Sequence, residues 1–434
     1  MFSKSHPLLL AGALALAGLI GCKANAGEDA AKITHPAIPV PPSGPGETII
    51  GDPLPPPNQT PSANNNSSVV GWPAGKGPTA PPGFTVKRFA EKLSGPRWIY
   101  EAPNGDIFVS EAQTNGSAGN DVLLFRDTNH DGVPELSTVF LKNLNQPFGM
   151  LVLNNFFYVA NTDGLWRYPY QTGQTTMTAA GSKILDLPAG GYNNHWTRNV
   201  VSSPDGMKLY VTVGSGSNAG EHGLDNEIGR ANILQVNPDG TGAIIYASGL
   251  RNPNGLDWAP FTNQLWTAVN ERDGLGDNLV PDYITHVRQG GFYGWPFSYF
   301  GQHVDTRVEN QDTALVRKAI VPNVQTGSHT ATLSIAFYKK TAFPAAYQGG
   351  AFVGQHGSWN RSVLAGYQVA YVPFQNGQPT AKPKTFLSGF IADSASSQVY
   401  GRPVGVAVIN DGSLLVADDG GNIIWRVSAN PGAR

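Results

Sequence analysis

The segment Asn193-Asn194-His195-Trp196-Thr197-Arg198-Asn199 sets a histidine and an arginine just ahead of an apolar run that turns at Ser203-Pro204-Asp205-Gly206 and returns through Leu209-Tyr210-Val211. A neutral imidazole in that position is a ready general base, because its ordinary pKa lies close to the pH at which it must take a proton. Further groups follow that suit an anion or a hard cation. Arg251-Asn252-Pro253-Asn254 leads to Asn270-Glu271-Arg272-Asp273. Then come Gly354-Gln355-His356-Gly357-Ser358-Trp359-Asn360-Arg361 and Gly401-Arg402-Pro403. Arginine forks match carboxylates with paired hydrogen bonds, so Arg251, Arg361 and Arg402 suit an anionic group near that base.

These residues stand at the starts and ends of strands in a recurring unit. The unit is a polar start, an apolar pair, a turn and an alternating apolar strand. Its copies are Gly95-Pro96-Arg97-Trp98 with Ile107-Phe108-Val109; Gln146-Pro147-Phe148-Gly149 with Phe157-Tyr158-Val159; Thr197-Arg198-Asn199-Val200 with Leu209-Tyr210-Val211; and Arg251-Asn252-Pro253-Asn254 with Leu265-Trp266-Thr267. A weaker copy lies between Thr330 and Val353, and the last joins Gly401-Arg402-Pro403-Val404 to Leu414-Leu415-Val416. A spacing of about fifty residues with about four short strands per unit marks a β-propeller blade. The copies predict an all-β, six-bladed β-propeller with loop insertions in its second half. The rim of the site is expected from the loops Val304 to Gln325 and Ile391 to Tyr400.

Composition agrees. The chain of 434 residues carries 52 Gly and 34 Pro with only 14% charged residues, a turn-rich β composition. Asn104-Gly105, Asp205-Gly206 and Asp411-Gly412 supply tight turns. A net charge of -2 gives no support for nucleic-acid binding.

The N-terminus reads as a bacterial lipoprotein signal over residues 1–22. Lys4 precedes an apolar stretch from Leu8 to Ile20, and Leu19-Ile20-Gly21-Cys22 resembles a lipobox. Residues 23–82, rich in Pro, Asn, Ser and Gly, are expected to form a disordered tether, and residues 83–434 the propeller domain. The expected location is the periplasmic side of the cell envelope, with a lipid anchor at Cys22. That cysteine is the only one, so the chain has no internal disulfide and no Cys-x-x-Cys-His haem site.

Taken in order, Asn194-His195, Arg251-Asn252, Asn270-Glu271-Arg272-Asp273, Asp282-Tyr283, Phe292-Tyr293-Gly294-Trp295-Pro296, His356 to Arg361 and Gly401-Arg402-Pro403 resemble the soluble quinoprotein sugar dehydrogenases. Within them the chain looks most like the L-sorbosone dehydrogenase or pyranose dehydrogenase type, which uses pyrroloquinoline quinone (PQQ). The resemblance implies that His195 takes the proton of a sugar hydroxyl while a hydride passes to PQQ. It implies a cofactor-binding set of Arg251, Asn252, Glu271, His356, Asn360, Arg361 and Arg402. It also implies a calcium ion (Ca2+) held by backbone carbonyls at Arg272 and Asp273, and an external electron acceptor such as a cytochrome or a quinone. Three positions depart from the soluble glucose dehydrogenase pattern: Gly214-Ser215 replaces Gly-Asp, Val404 replaces a second arginine, and Asn360-Arg361 replaces Lys-Arg. These departures favour a sugar other than glucose.

Other residues carry plainer expectations. His329, Trp196, Trp295 and Trp359 suit packing or rim roles. Asp127-Thr128-Asn129-His130-Asp131-Gly132 with Glu135 matches the start of an EF-hand loop but has Thr138 at its closing position, which favours a polar turn. Two other functions share the predicted fold. A calcium-dependent lactonase would bind metal through side-chain carboxylates at the central opening. A non-catalytic sugar- or protein-binding propeller would not need His195, Arg251 and Arg402 to converge.

Overall fold

A computed structural model of the chain describes residues 48–113 and 119–432. Six antiparallel sheets form the body. Their first strands are Pro96–Glu101, Met150–Leu153, Val200–Ser202, Pro253–Trp258, Thr332–Phe337 and Pro403–Val408. Each of these strands packs against its counterparts in the next and previous sheets, and the last meets the first, so the six close a ring. The sequence repeat had marked the first two strands of every blade.

The alternation of side chains within each strand buries both faces of the sheets, and six apolar cores result. Each core lies between two neighbouring blades. Phe108 and Phe157 show the pattern, meeting across blades 1 and 2 with ring centroids 4.8 Å apart and no exposed surface. Truncating such a ring to alanine costs about 3–5 kcal/mol. Blades must also approach closely near the axis. A Cβ added to Gly405 would sit 2.5 Å from the carbonyl oxygen of Arg97, so only glycine fits there.

The ring is closed by the two ends of the propeller segment. Phe84–Glu91 pairs with Ile423–Ala429 and becomes the outermost strand of the blade that begins at Pro403. In the second half, residues 287–323 are inserted before the last strand of blade 4, Val324–Ser328. Within this insertion, Gly291–Phe292 adds a parallel fifth strand to blade 3. A small hairpin, Ser298–Tyr299 with His303–Val304, follows, and then a short helix, Thr313–Val316.

The expected boundary between tether and domain at residue 82 is corrected. Residues 1–47, where the signal and lipobox are expected, lie outside the described residues, but 48–82 are bound to the propeller. Ile50 bridges to Val324, and Asn58 donates its backbone N–H to the Leu275 carbonyl (2.8 Å). Ser68–Val69 pairs in parallel with Gln398–Val399. Trp72 wedges among Phe390, Tyr400 and Trp425 and donates from Nε1 to Asp418 (2.7 Å). A segment with this composition cannot build its own core. It needs none where it borrows strand edges and an aromatic socket from a folded partner.

Candidate active site

The repeat places chemistry at one end of the ring. Residues just before a first strand (His195, Arg251, Arg402) and just after a second strand (Ser215, Asn270, His356, Asp419) emerge at the same end of their sheets. There His195, Arg251, Asn270, His356 and Arg402 surround a cavity of about 760 Å³, with Ser215 and Asp419 behind its wall. Its walls include Asn194, His195, Asn218, Arg251, Asn270, Asp273, His356, Trp359 and Arg402.

The His195 imidazole is held by one partner. Its Nδ1 lies 2.9 Å from both the carbonyl oxygen and the hydroxyl oxygen of Ser215. The Ser215 hydroxyl gives its only hydrogen to the Ser217 carbonyl (2.7 Å). Both oxygens facing Nδ1 are therefore acceptors, so Nδ1 carries the proton and Nε2 keeps its lone pair. Burial pushes the His195 pKa well below 6.5, and the nearby Arg251, Arg198 and Arg230 charges push it the same way. The ring is therefore neutral at neutral pH, and Nε2 presents a lone pair that can accept a proton.

Two further groups fix this geometry. Glu227 accepts from the backbone N–H groups of Gly216 (2.6 Å) and Ser217 (2.9 Å), holding the turn that carries Ser215. Arg198 is fully buried and donates to the carbonyls of His195 (2.7 Å), Thr197 and Pro188, which pins the loop ahead of the strand. Gly214 permits the close fit, since a Cβ there would lie 2.5 Å from the Asn252 amide oxygen and 2.6 Å from the His195 Cβ.

Across the cavity, Asp419 gathers three partners. It accepts from Arg97, from Arg402 Nε (2.9 Å) and from His356 Nε2 (3.0 Å). Burial alone would raise its pKa, but His356, Arg402 and Arg97 overcome that and hold it far below the usual carboxylate range. Burial lowers the His356 pKa, so the cluster is one anion between two guanidinium cations and carries net positive charge. Arg402 spends Nε on Asp419, while its terminal nitrogens have no protein partner among the described residues.

Arg251 is bound differently. Its guanidinium donates to the carbonyls of Asn218, Asn270 and Glu271 and to the Asn218 side chain, with Asp273 at 3.4 Å. His329 braces the same loop, meeting Asp273 Oδ1 at 3.0 Å and the Gly276 carbonyl at 2.9 Å.

The structure thus brings His195, Arg251, His356, Arg402 and Asp273 to one cavity. It sets the other expected residues behind the wall. Asn252 is buried beside Gly214 with its Oδ1 unpartnered. Glu271 is buried behind Arg251, and burial pushes its pKa up to about 7. Arg272 faces Asp305 at 2.7 Å. Asn360 bonds Gly274 and Ala63, and Arg361 bonds Asp277 and Asn278, so neither lines the cavity. The loops 304–325 and 391–400, expected at the rim, do not line it either; the second instead carries the strand paired with Ser68–Val69.

Sequence reasoning missed Asp419, Asn218, Tyr192 and the wall formed by Asn64, Asn66 and Ser67. Asp419 was within reach. It follows the second strand of its blade as His356 does in the preceding one, a register the repeat already defined. The Asp127–Glu135 segment is a turn outside the cavity, where Thr128 and Gly132 bond Glu135 and Asp127. Its three carboxyl groups, Asp127, Asp131 and Glu135, lie within 4.8 Å of one another.

The sequence model of the TrAA12-like family matches residues 78–286 and 296–430. The chain belongs to the TrAA12-like family. Among the solved structures that share its fold, two illustrate the likeness. The PQQ domain of pyranose dehydrogenase from Coprinopsis cinerea, in its holo form, has a TM-score of 0.69 at 21% identity, covering 84% of this chain and 100% of that one. The Trichoderma reesei carbohydrate-active enzyme of family AA12 has a TM-score of 0.70 at 19% identity, over 84% and 100%. In sequence, this TrAA12-like chain is 29% identical to an uncharacterised protein of Borreliella burgdorferi over 359 residues, 80% of this chain and 89% of that one. The family is thus TrAA12-like, and the propeller fold expected from the repeat is the one shared with these two solved structures.

PQQ fits the donor set. It has three carboxylates, and the Arg402 terminal nitrogens are free donors on a cavity wall of net positive charge. Arg251 would serve it by exchanging backbone partners for a carboxylate or a quinone oxygen. Calcium at the Arg272–Asp273 segment fits less well. The Asp273 carbonyl already accepts from Asn218 Nδ2 (3.0 Å) and Arg307, while Arg251 holds the neighbouring carbonyls of Asn270 and Glu271.

Proposed function

We propose that this protein is a PQQ-dependent dehydrogenase of pyranose or other aldose sugars. The observation that carries the reading is a neutral, tautomer-fixed His195 in the same cavity as the free donors of Arg402. When bound, PQQ supplies the two-electron acceptor for the hydride leaving the sugar carbon. The residues do the rest. His195 Nε2 takes the proton of the hydroxyl on that carbon as the hydride departs, a contribution of roughly 10²–10⁴-fold. Arg402, Arg97, His356 and Asp419 form a rigid positive wall that orients the cofactor's carboxylates. Asn270 offers its amide group to sugar hydroxyls. No step is assigned to calcium.

A carboxylate-bound metal of the lactonase kind is disfavoured by the partners already present. Asp273 is engaged by His329 and Arg251, Asp419 by three bases, and Glu221 by the N–H groups of Asn218 and Ala219.

The test is reconstitution. The purified chain with added PQQ is expected to reduce an artificial dye when given pyranose sugars, and to leave NAD and NADP unreduced. Sugar-dependent reduction of NAD without PQQ, or failure to bind PQQ, would overturn the reading. The electrons then leave to an external acceptor. The lipobox-like Leu19-Ile20-Gly21-Cys22 supports a lipid anchor on the periplasmic side of the envelope. Cys22→Ser is expected to move the protein to the soluble fraction with its dye activity intact, and membrane retention would contradict the anchor alone.

A further inference from the structure

Residues 48–77 precede the segment matched by the family, and they form a strap across the cavity end of the propeller. We propose that the strap is a specificity element. Asn64 and Asn66 form the outer wall of the sugar subsite and read a pair of neighbouring hydroxyls on the part of the sugar that does not react. The proposal rests on the sugar-dehydrogenase reading above.

Three observations support it. The strap is fastened on both sides of its tip. Thr60 Oγ1 accepts from the Asp277 backbone (2.8 Å), the Ala63 carbonyl accepts from Asn360 (2.6 Å), and Trp72 is locked in its aromatic socket. Between these anchors, the side chains of residues 64–66 divide between two sides. Asn65 turns to the protein, donating from its backbone to the Trp359 carbonyl (2.7 Å) and from Nδ2 to the Ser362 carbonyl (3.0 Å). Asn64 and Asn66 turn the other way and line the cavity.

These two amides are joined to each other, Asn66 Nδ2 donating to Asn64 Oδ1 (2.9 Å). The bond leaves the Asn64 amide hydrogens and the Asn66 side-chain oxygen as a donor and an acceptor on one cavity wall, a pairing that a vicinal diol can satisfy with two hydrogen bonds. Trp359, whose backbone the strap fixes, is 47% exposed in the same lining, an aromatic face suited to the C–H side of a sugar ring. Surface asparagines on a mere fastening would not need a cavity-facing pair beside an exposed indole.

The experiment uses the full chain carrying Asn64→Ala with Asn66→Ala. Two probes are read: KM for a pyranose that the loaded wild-type oxidises, and the dissociation constant, by calorimetry, of 1,5-anhydroglucitol, which keeps ring hydroxyls but has no anomeric hydroxyl. Both are expected to rise about tenfold, as loss of two hydrogen bonds implies. PQQ affinity should be unchanged and kcat should stay within about twofold. Asn65→Ala, which frees the tip without touching the amide pair, is expected to weaken the polyol in the same direction. Unchanged polyol affinity in the double variant overturns the proposal, as does a fall in kcat at constant KM. If wild-type protein fails to bind PQQ, the functional reading fails, and the polyol measurement still decides the strap.

Discussion

His195 and Ser215 form the decisive pair of the site: both oxygens of Ser215 lie 2.9 Å from the imidazole Nδ1, and the serine hydrogen is committed elsewhere. A neutral partner fixes the tautomer without adding the negative charge that would hold a proton on the ring. The replacement of Gly-Asp by Gly214-Ser215 is therefore a setting of basicity as well as a sequence difference.

That relationship predicts a pH profile. Burial lowers the His195 pKa below 6.5, so the active neutral ring persists on the acid side of that value, and the acid limb of kcat/KM should lie below about pH 6.5. Ser215→Asp places a carboxylate against Nδ1, raises the histidine pKa and should move the limb to higher pH by about one unit. A limb that stays in place in Ser215→Asp would refute the pairing as the source of the tuning.

Arg402 is expected to bind cofactor with its free terminal donors. Arg402→Ala should weaken PQQ by at least about tenfold in a fluorescence titration, and Arg402→Lys should restore only part, because an ammonium cannot form a fork. Equal affinity in all three proteins would show that the cofactor lies elsewhere.

Asp419 makes the cluster sensitive to acid. Its folded pKa is depressed by His356, Arg402 and Arg97 despite burial, so its stabilisation is complete above the unfolded carboxylate value of about 4 and is lost as pH falls through the folded value. Asp419→Asn leaves Arg97 buried without its counter-charge and should destabilise by about 3–5 kcal/mol. Thermal unfolding at neutral pH measures this, and a melting temperature equal to that of wild type would contradict it.

A calcium ion at the Arg272–Asp273 segment would have to compete with Arg251 for the neighbouring carbonyls of Asn270 and Glu271. PQQ that draws Arg251 away should free them, so calcium should bind better with PQQ present than without it. By linkage, calcium must raise PQQ affinity by the same factor. Calorimetry of calcium with and without PQQ checks this, and equal affinities would rule out the competition.

Much of this was legible in the chain. The repeat gave the blades because strand alternation and turn chemistry are local. It gave His195, Arg251, His356 and Arg402 because their places in the repeat bring them to one end of the ring. Motif matching alone overreached at Asn360 and Arg361, whose side chains turn to the 274–278 loop. The strap was illegible for another reason: its order comes from Val324, Gln398–Val399 and the socket of Trp72, all more than two hundred residues away, and its composition taken alone reads as a linker.

The central claim is tested most directly by His195→Gln. Glutamine keeps a hydrogen-bonding side chain of similar reach but removes the base. With PQQ binding confirmed in the variant, kcat for sugar-dependent dye reduction should fall by roughly 10²–10⁴-fold. Turnover equal to the wild type in the PQQ-loaded variant would show that His195 is not the proton acceptor.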